Sequence, residues 1–167
     1  MRQPPTLSAV EILERHWAKQ ASLKRCVAAS PDEISAFETK HGVSLPSDFR
    51  EYIAHLNGTP THPDPESWDG VEAGGFEFYS LAALYPMPDA YGYFVFCSWV
   101  IGLLPFAICL NQQGRHGEVI ASRDGLSGSY LVAPSFTSFA TLYVEDSTQI
   151  YGSVDTDAQG ANDGLGS

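Results

Sequence analysis

Residues 90–114 carry no charged side chain, and Tyr91 to Leu110 is close to continuously apolar. A stretch of that length could cross a bilayer as a helix, so its conformation constrains everything else. Gly92, Ser98, Gly102 and Pro105 interrupt it, and no cluster of Lys or Arg flanks either end. Its apolar residues are strand formers, Tyr93-Phe94-Val95-Phe96 and then Phe106-Ala107-Ile108. The stretch is therefore expected to form buried strands rather than a membrane span. Tyr93–Val100 reads as a strand covered on both faces. A chain of 167 residues is long enough to bury such strands in one core without disulfide or metal staples.

The flanking segments supply helices to cover that sheet. Ser8 with Glu11 forms a capping box, and Val10, Leu13 and Trp17 follow on one face. Ser30, Pro31 and Glu33 mark a second helix start. Ile34, Phe37 and His41 follow at helical spacing, with Gly42 as the stop. Phe49, Tyr52, Ile53 and Leu56 give the stripe of a third helix over about 47–56, ended by Asn57-Gly58. Residues 59–75 read as a proline-broken loop. Strands are expected at 76–79, 93–100, 106–110, 118–121 and 130–132, with a turn at Asn111–Gly114. Ser135 caps a closing helix with Phe136, Phe139, Ala140 and Tyr143 in its stripe. The order is α+β, N-terminal helices on a mostly antiparallel sheet with a closing C-terminal helix. The expected organisation is a leader helix over 1–29, a domain over 30–151, and a mobile acidic tail over 152–167.

Charge is distributed unevenly. Residues 1–50 are close to neutral at +1, whereas 51–167 carry −12 of the net −11, and no Lys or Arg occurs from Glu51 to Gly114. This balance argues against holding nucleic acid through phosphate contacts or docking on anionic lipid. It favours a basic partner, which an anionic surface would steer.

Catalytic and metal patterns are weak. Cys26, Cys97 and Cys109 are an odd number without CxxC spacing, so reduced thiols and a cytoplasmic location are expected, and no secretory signal is visible. A Cys97, His116, Asp124 triad would put its nucleophile in an apolar strand, where a thiol stays protonated. His55, His62 and Asp64 lack the spacing of a metal site. Gly70, Gly74 and Gly75 match no phosphate-binding motif. Nothing fixes the separation of Glu72 and Glu77 for acid–base work. No enzyme activity and no cofactor is expected.

Ile34-x-x-Phe37-Glu38, then Leu45-Pro46-x-x-Phe49 with Asp48 between, then Leu56-Asn57-Gly58 resembles the opening signature of the SUKH superfamily, the Smi/Knr-type domain. Gly102-Leu103-Leu104-Pro105-Phe106 and Gly117-Glu118-Val119 look like its central strands. Ala133-Pro134-Ser135-Phe136-x-x-Phe139 looks like its closing helix. The resemblance covers about 30–146 and leaves out the leader helix and the 59–75 loop. It implies a non-enzymatic binding protein. Bacterial members resemble immunity proteins that neutralise a cognate toxin, many of these toxins being basic nucleases. Fungal relatives act as scaffolds in cell-wall signalling.

A binding role needs an exposed, electronegative surface with aromatic anchors. Asp64, Glu66, Trp68, Asp69, Glu72 and Glu77 offer one, with Tyr79 and Tyr91. Trp68 between acids in a proline-rich loop reads either as an interface anchor or as a lid on the core.

Overall fold

The computed structural model describes residues 5–20, 26–59, 74–100, 102–122 and 128–152. Residues 60–73, within the expected loop, and 153–167, within the expected tail, lie outside them. The described residues form four α-helices: α1 (Ala9–Trp17), α2 (Pro31–His41), α3 (Ser47–His55) and α4 (Phe136–Val144). The six strands are β1 (Phe76–Phe78), β2 (Tyr85–Pro86), β3 (Tyr93–Trp99), β4 (Leu104–Cys109), β5 (Val119–Ser122) and β6 (Ser129–Ala133). They form one sheet in the order β1-β3-β4-β5-β6, with β2 also on β3. Every pairing is antiparallel, so the chain is α+β as its sequence predicts. No helix among the described residues is long and apolar enough to cross a membrane.

Local chemistry places the helices. The Ser8 and Ser30 hydroxyls accept from the Glu11 and Glu33 backbone N–H groups, and each Glu side chain accepts back from its serine's N–H. Two orphan donors are thereby satisfied at each helix start. After α3, Asn57 (φ 50) and Gly58 (φ 80) turn the chain through the left-handed region. A Cβ on Gly58 would lie 2.6 Å from the Phe78 carbonyl oxygen. Glycine therefore lets this segment approach β1 closely enough for the Thr59 N–H to donate to that same oxygen.

All four helices contribute to one cluster on one face of the sheet. Phe49, Phe78, Phe96, Phe106, Phe136 and Phe139 are fully buried there. Several meet edge to face, Phe49 on Phe136 at 5.0 Å and Phe96 on Phe139 at 5.1 Å. The leader helix joins the same core. Leu13 and Trp17 are buried in it, and the Trp17 indole N–H donates to the Tyr143 hydroxyl at 3.1 Å.

β3 is buried on both faces at its centre, as its apolar run predicts: Phe94 to Ser98 are all buried. The helices cover one face and Met87 the middle of the other. A register shift between Val95 and Cys97 marks a bulge, so that the consecutive residues Phe96 and Cys97 both join the helix-side cluster with Phe94. Val95 faces the other way, into a small cluster with Met87, Ala107 and Ile120 to which no helix contributes.

Candidate protein-docking face

The sheet face away from the helices is organised in rows set by strand register. The central row runs Tyr85, Val95, Ala107, Ile120, Leu131, each opposite the next. Its middle is buried, with Met87 packed over it. Its ends are open, Tyr85 at 44% and Leu131 at 56% exposed. A second row runs Glu77, Ser98, Pro105. Leu103, 64% exposed, lies in the turn between β3 and β4. Three large apolar side chains thus stand in solvent around a buried apolar floor, which favours covering by another molecule.

Two concavities adjoin this face. One of about 260 Å³ is lined by Tyr85, Met87, Asp89, Leu103 and Pro105. Another of about 610 Å³ lies between the end of α2 and the turn before β3, with His41, Met87, Asp89, Tyr91 and Phe94 in its wall. Met87 and Asp89 belong to both, so residues 85–91 form a ridge that joins them. Backbone bonds hold the ridge: Met87 N–H donates to Tyr93 O at 2.8 Å, and Leu110 N–H to Gly92 O at 2.8 Å. Gly92 (φ 80) is needed because a Cβ there would meet the Asn111 Cβ at 2.7 Å. On this held turn the Tyr91 ring is 93% exposed.

Among the described residues the strands and the 85–91 ridge carry charge of one sign only. None of the six strands contains Lys or Arg. Glu77 and Asp89 make no ion pair among the described residues, while Arg115 is taken by Glu118 at 3.5 Å. Partial burial pushes the Glu77 carboxyl above its ordinary range. The Tyr79 hydroxyl bonds to the Ser98 hydroxyl at 2.9 Å, and burial raises its phenol to about 12 against the opposing effect of that bond. Tyr93 also stands at about 12, raised by burial and then by its bond to the Glu118 carboxylate at 3.0 Å.

The residues expected to bind a partner are placed unevenly. Glu77 and Tyr79 lie together at the β1 end of the face, and the Tyr79 ring meets Tyr85 at 6.1 Å. Tyr91 lies beyond the opposite end of β3, connected to them only through the 85–89 ridge. Asp64, Glu66, Trp68, Asp69 and Glu72 fall outside the described residues. Tyr85, Met87, Asp89, Leu103 and Leu131 were not picked out from the sequence. Only the register that aligns five strands makes them neighbours, and no single segment carries that signal.

The other candidate groups are dispersed. Cys97 is buried in β3 opposite Phe106, whereas His116 lies in the β4–β5 turn past the other end of β4, its Nε2 2.8 Å from the Ser44 carbonyl oxygen. Asp124 is outside the described residues. Exposed His55 has Nδ1 2.8 Å from the Glu51 carbonyl oxygen, one turn back in α3; His62 and Asp64 are again outside.

The acidic signature residues are structural. Glu38 accepts from the Leu45 N–H and pairs with Arg50. Asp48 Oδ2 accepts from both the N–H and the hydroxyl of Thr137 at 2.9 and 3.0 Å, so α3 supplies an anion to the first turn of α4. A family model described as SMI1 / KNR4 family (SUKH-1) matches residues 28–141, more than half of the chain. No curated protein matches it.

Proposed function

The chain belongs to the SMI1 / KNR4 family (SUKH-1), and from that premise we propose that it is a non-enzymatic binding module whose helix-free sheet face docks a basic protein. The partner that fits best is a cognate toxin of a polymorphic toxin system, a nuclease domain whose cationic surface this protein covers. The observation that carries the reading is the row from Tyr85 to Leu131, open at both ends and free of Lys and Arg. Burying an exposed leucine is worth about 1.5–3 kcal/mol, so Leu103 and Leu131 are suited to anchor a contact. Glu77 adds a carboxylate that is already partly desolvated, so less hydration remains to be lost when a cation meets it. Acidic residues Asp64, Glu66, Asp69 and Glu72, which precede β1 in the sequence, carry the same sign of charge, and such charge speeds encounter with a basic partner.

The test is co-expression with the toxin encoded beside its gene. The intact chain should protect cells, and Leu103→Asp with Leu131→Asp should abolish protection while the variant remains folded by circular dichroism. Glu66→Lys with Asp69→Lys should slow association at low salt and flatten its salt dependence. Trp68→Ala should weaken binding by about 2 kcal/mol. An intact chain that neither binds nor protects against the neighbouring toxin overturns the toxin assignment.

A further inference from the structure

The proposed docking face leaves the opposite side of the molecule unused, and there a groove of about 430 Å³ runs between α1 and α4. We propose that this groove is a second docking site, for an acidic and apolar segment of a partner protein.

The argument begins with charge. The chain is strongly acidic, yet Arg15 and Lys19 both line this one groove. Arg15 stands in the last turn of α1 and Lys19 in the turn that follows it, closed by its N–H to the His16 carbonyl. Arg50 and Arg115 are taken up by Glu38 and Glu118. Arg15 and Lys19 make no ion pair among the described residues. Their position at the end of α1 suits the helix dipole, but that accounts only for the charges and not for the cleft beneath them.

The floor is apolar. Leu7, Ile12 and Val144 line it, and Ile12 and Val144 are only partly buried where they pack on the core. The α4 wall has little to offer a free anion. The Thr141 hydroxyl donates to the Thr137 carbonyl, and the Thr137 N–H and hydroxyl are both spent on Asp48. The positive end of α4 is thus already occupied by a carboxylate of this chain. The cations stand instead at the negative end of α1, which weakens any anion there and a compact dianion more than separate single carboxylates. Two cations beside an apolar floor fit carboxylates spaced along a chain, with an aliphatic side chain between them. Glu145, also in the lining, lies two residues past Tyr143, which meets His16 and Trp17, so it stands at the cation end and offsets part of that charge.

The experiment uses the full chain, isotopically labelled, with a short synthetic peptide of alternating glutamate and leucine as probe. Saturable amide shifts are expected at 12–19 and 137–145 in nuclear magnetic resonance spectra, weakening as salt rises. Arg15→Glu with Lys19→Glu should weaken the peptide at least about tenfold, and the paired glutamine variant should weaken it less. Melting curves on both establish that the fold is intact. Shifts confined to other residues, unchanged binding in the two variants, or equal binding of inorganic phosphate or a single-stranded oligonucleotide would overturn the proposal. Glu77→Lys on the sheet face should leave peptide binding unchanged. Failure here is therefore distinguishable from failure of the toxin assignment, which is read on the other face.

Discussion

The two faces of this sheet are made from neighbouring residues of the same strands and behave differently. Toward the helices, β3 and β4 send Phe94, Phe96, Phe106 and Ile108 into a core shared by all four helices. Away from them, the same strands send Val95 and Ala107 into a cluster covered chiefly by Met87. The first face is closed by elements that the chain builds before and after the sheet. The second is closed only at its centre, by a segment that leaves β2 and returns to β3. A sheet with one face covered is a common antiparallel design, but the other face is then usually polar. Here the exposed face keeps Tyr85, Leu103 and Leu131, and that departure singles it out.

The contrast can be broken by mutation. Phe106→Ala should cost about 3–5 kcal/mol of stability in denaturant titrations, because it opens a cavity among fully buried rings. A loss below 1 kcal/mol would mean the helix side is not the core. Asp48→Ala should cost about 1.5–3 kcal/mol, since it removes charge-assisted bonds to the start of α4. A variant as stable as the parent would show that α4 does not depend on α3 to satisfy its first turn.

The exposed face should respond to pH. A phenol raised to about 12 contributes stability that is complete below its ordinary value near 10 and is lost as pH rises through 12. Tyr79→Phe should therefore flatten the alkaline fall in melting temperature, and an unchanged alkaline limb would remove Tyr79 as its source. The raised Glu77 carboxyl contributes in the same sense, present at acid pH and lost as pH rises through its folded value. Glu77→Gln should melt higher than the parent near neutrality, and the gap should close on acidification. The smallest effect is expected from Leu131→Ser, within about 0.5 kcal/mol of the parent. A larger loss would reassign Leu131 to the fold and weaken it as an anchor.

What the sequence made legible follows the same division. Helix starts at Ser8, Ser30 and Ser135 were readable because a cap is a local exchange of hydrogen bonds within a few residues. The core stripes of α1, α3 and α4 were readable from their period. Phe37, placed at helical spacing with Ile34, is only half-buried, and packs against His41 and Phe94. The two-residue strand Tyr85–Pro86 carried no local signature, for proline is a poor strand signal. Its place opposite Val95 and Phe94 is decided by the tertiary fold. Leu131 and Ile120 are neighbours only through a register that itself shifts at Val119. The Asp48 contact with Thr137 spans 89 positions, beyond any window of local pattern. Among the residues expected to bind a partner, Glu77 and Tyr79 lie close together because they are near neighbours in sequence, on β1 and just past it, whereas the row from Tyr85 to Leu131 is assembled only by strand register.

The Trp17–Tyr143 bond joins groups 126 positions apart, and this carries a cost during synthesis. A nascent polypeptide cannot complete the seat of its first helix until nearly all of the described fold has left the ribosome, because α4 is made long after α3 and Phe78, the earlier partners of that helix. Such long-range closure slows folding and leaves the early helices open to proteases in the interval. Ribosome-stalled chains ending before residue 136 should be cleaved readily near α1, and chains released past residue 152 should resist.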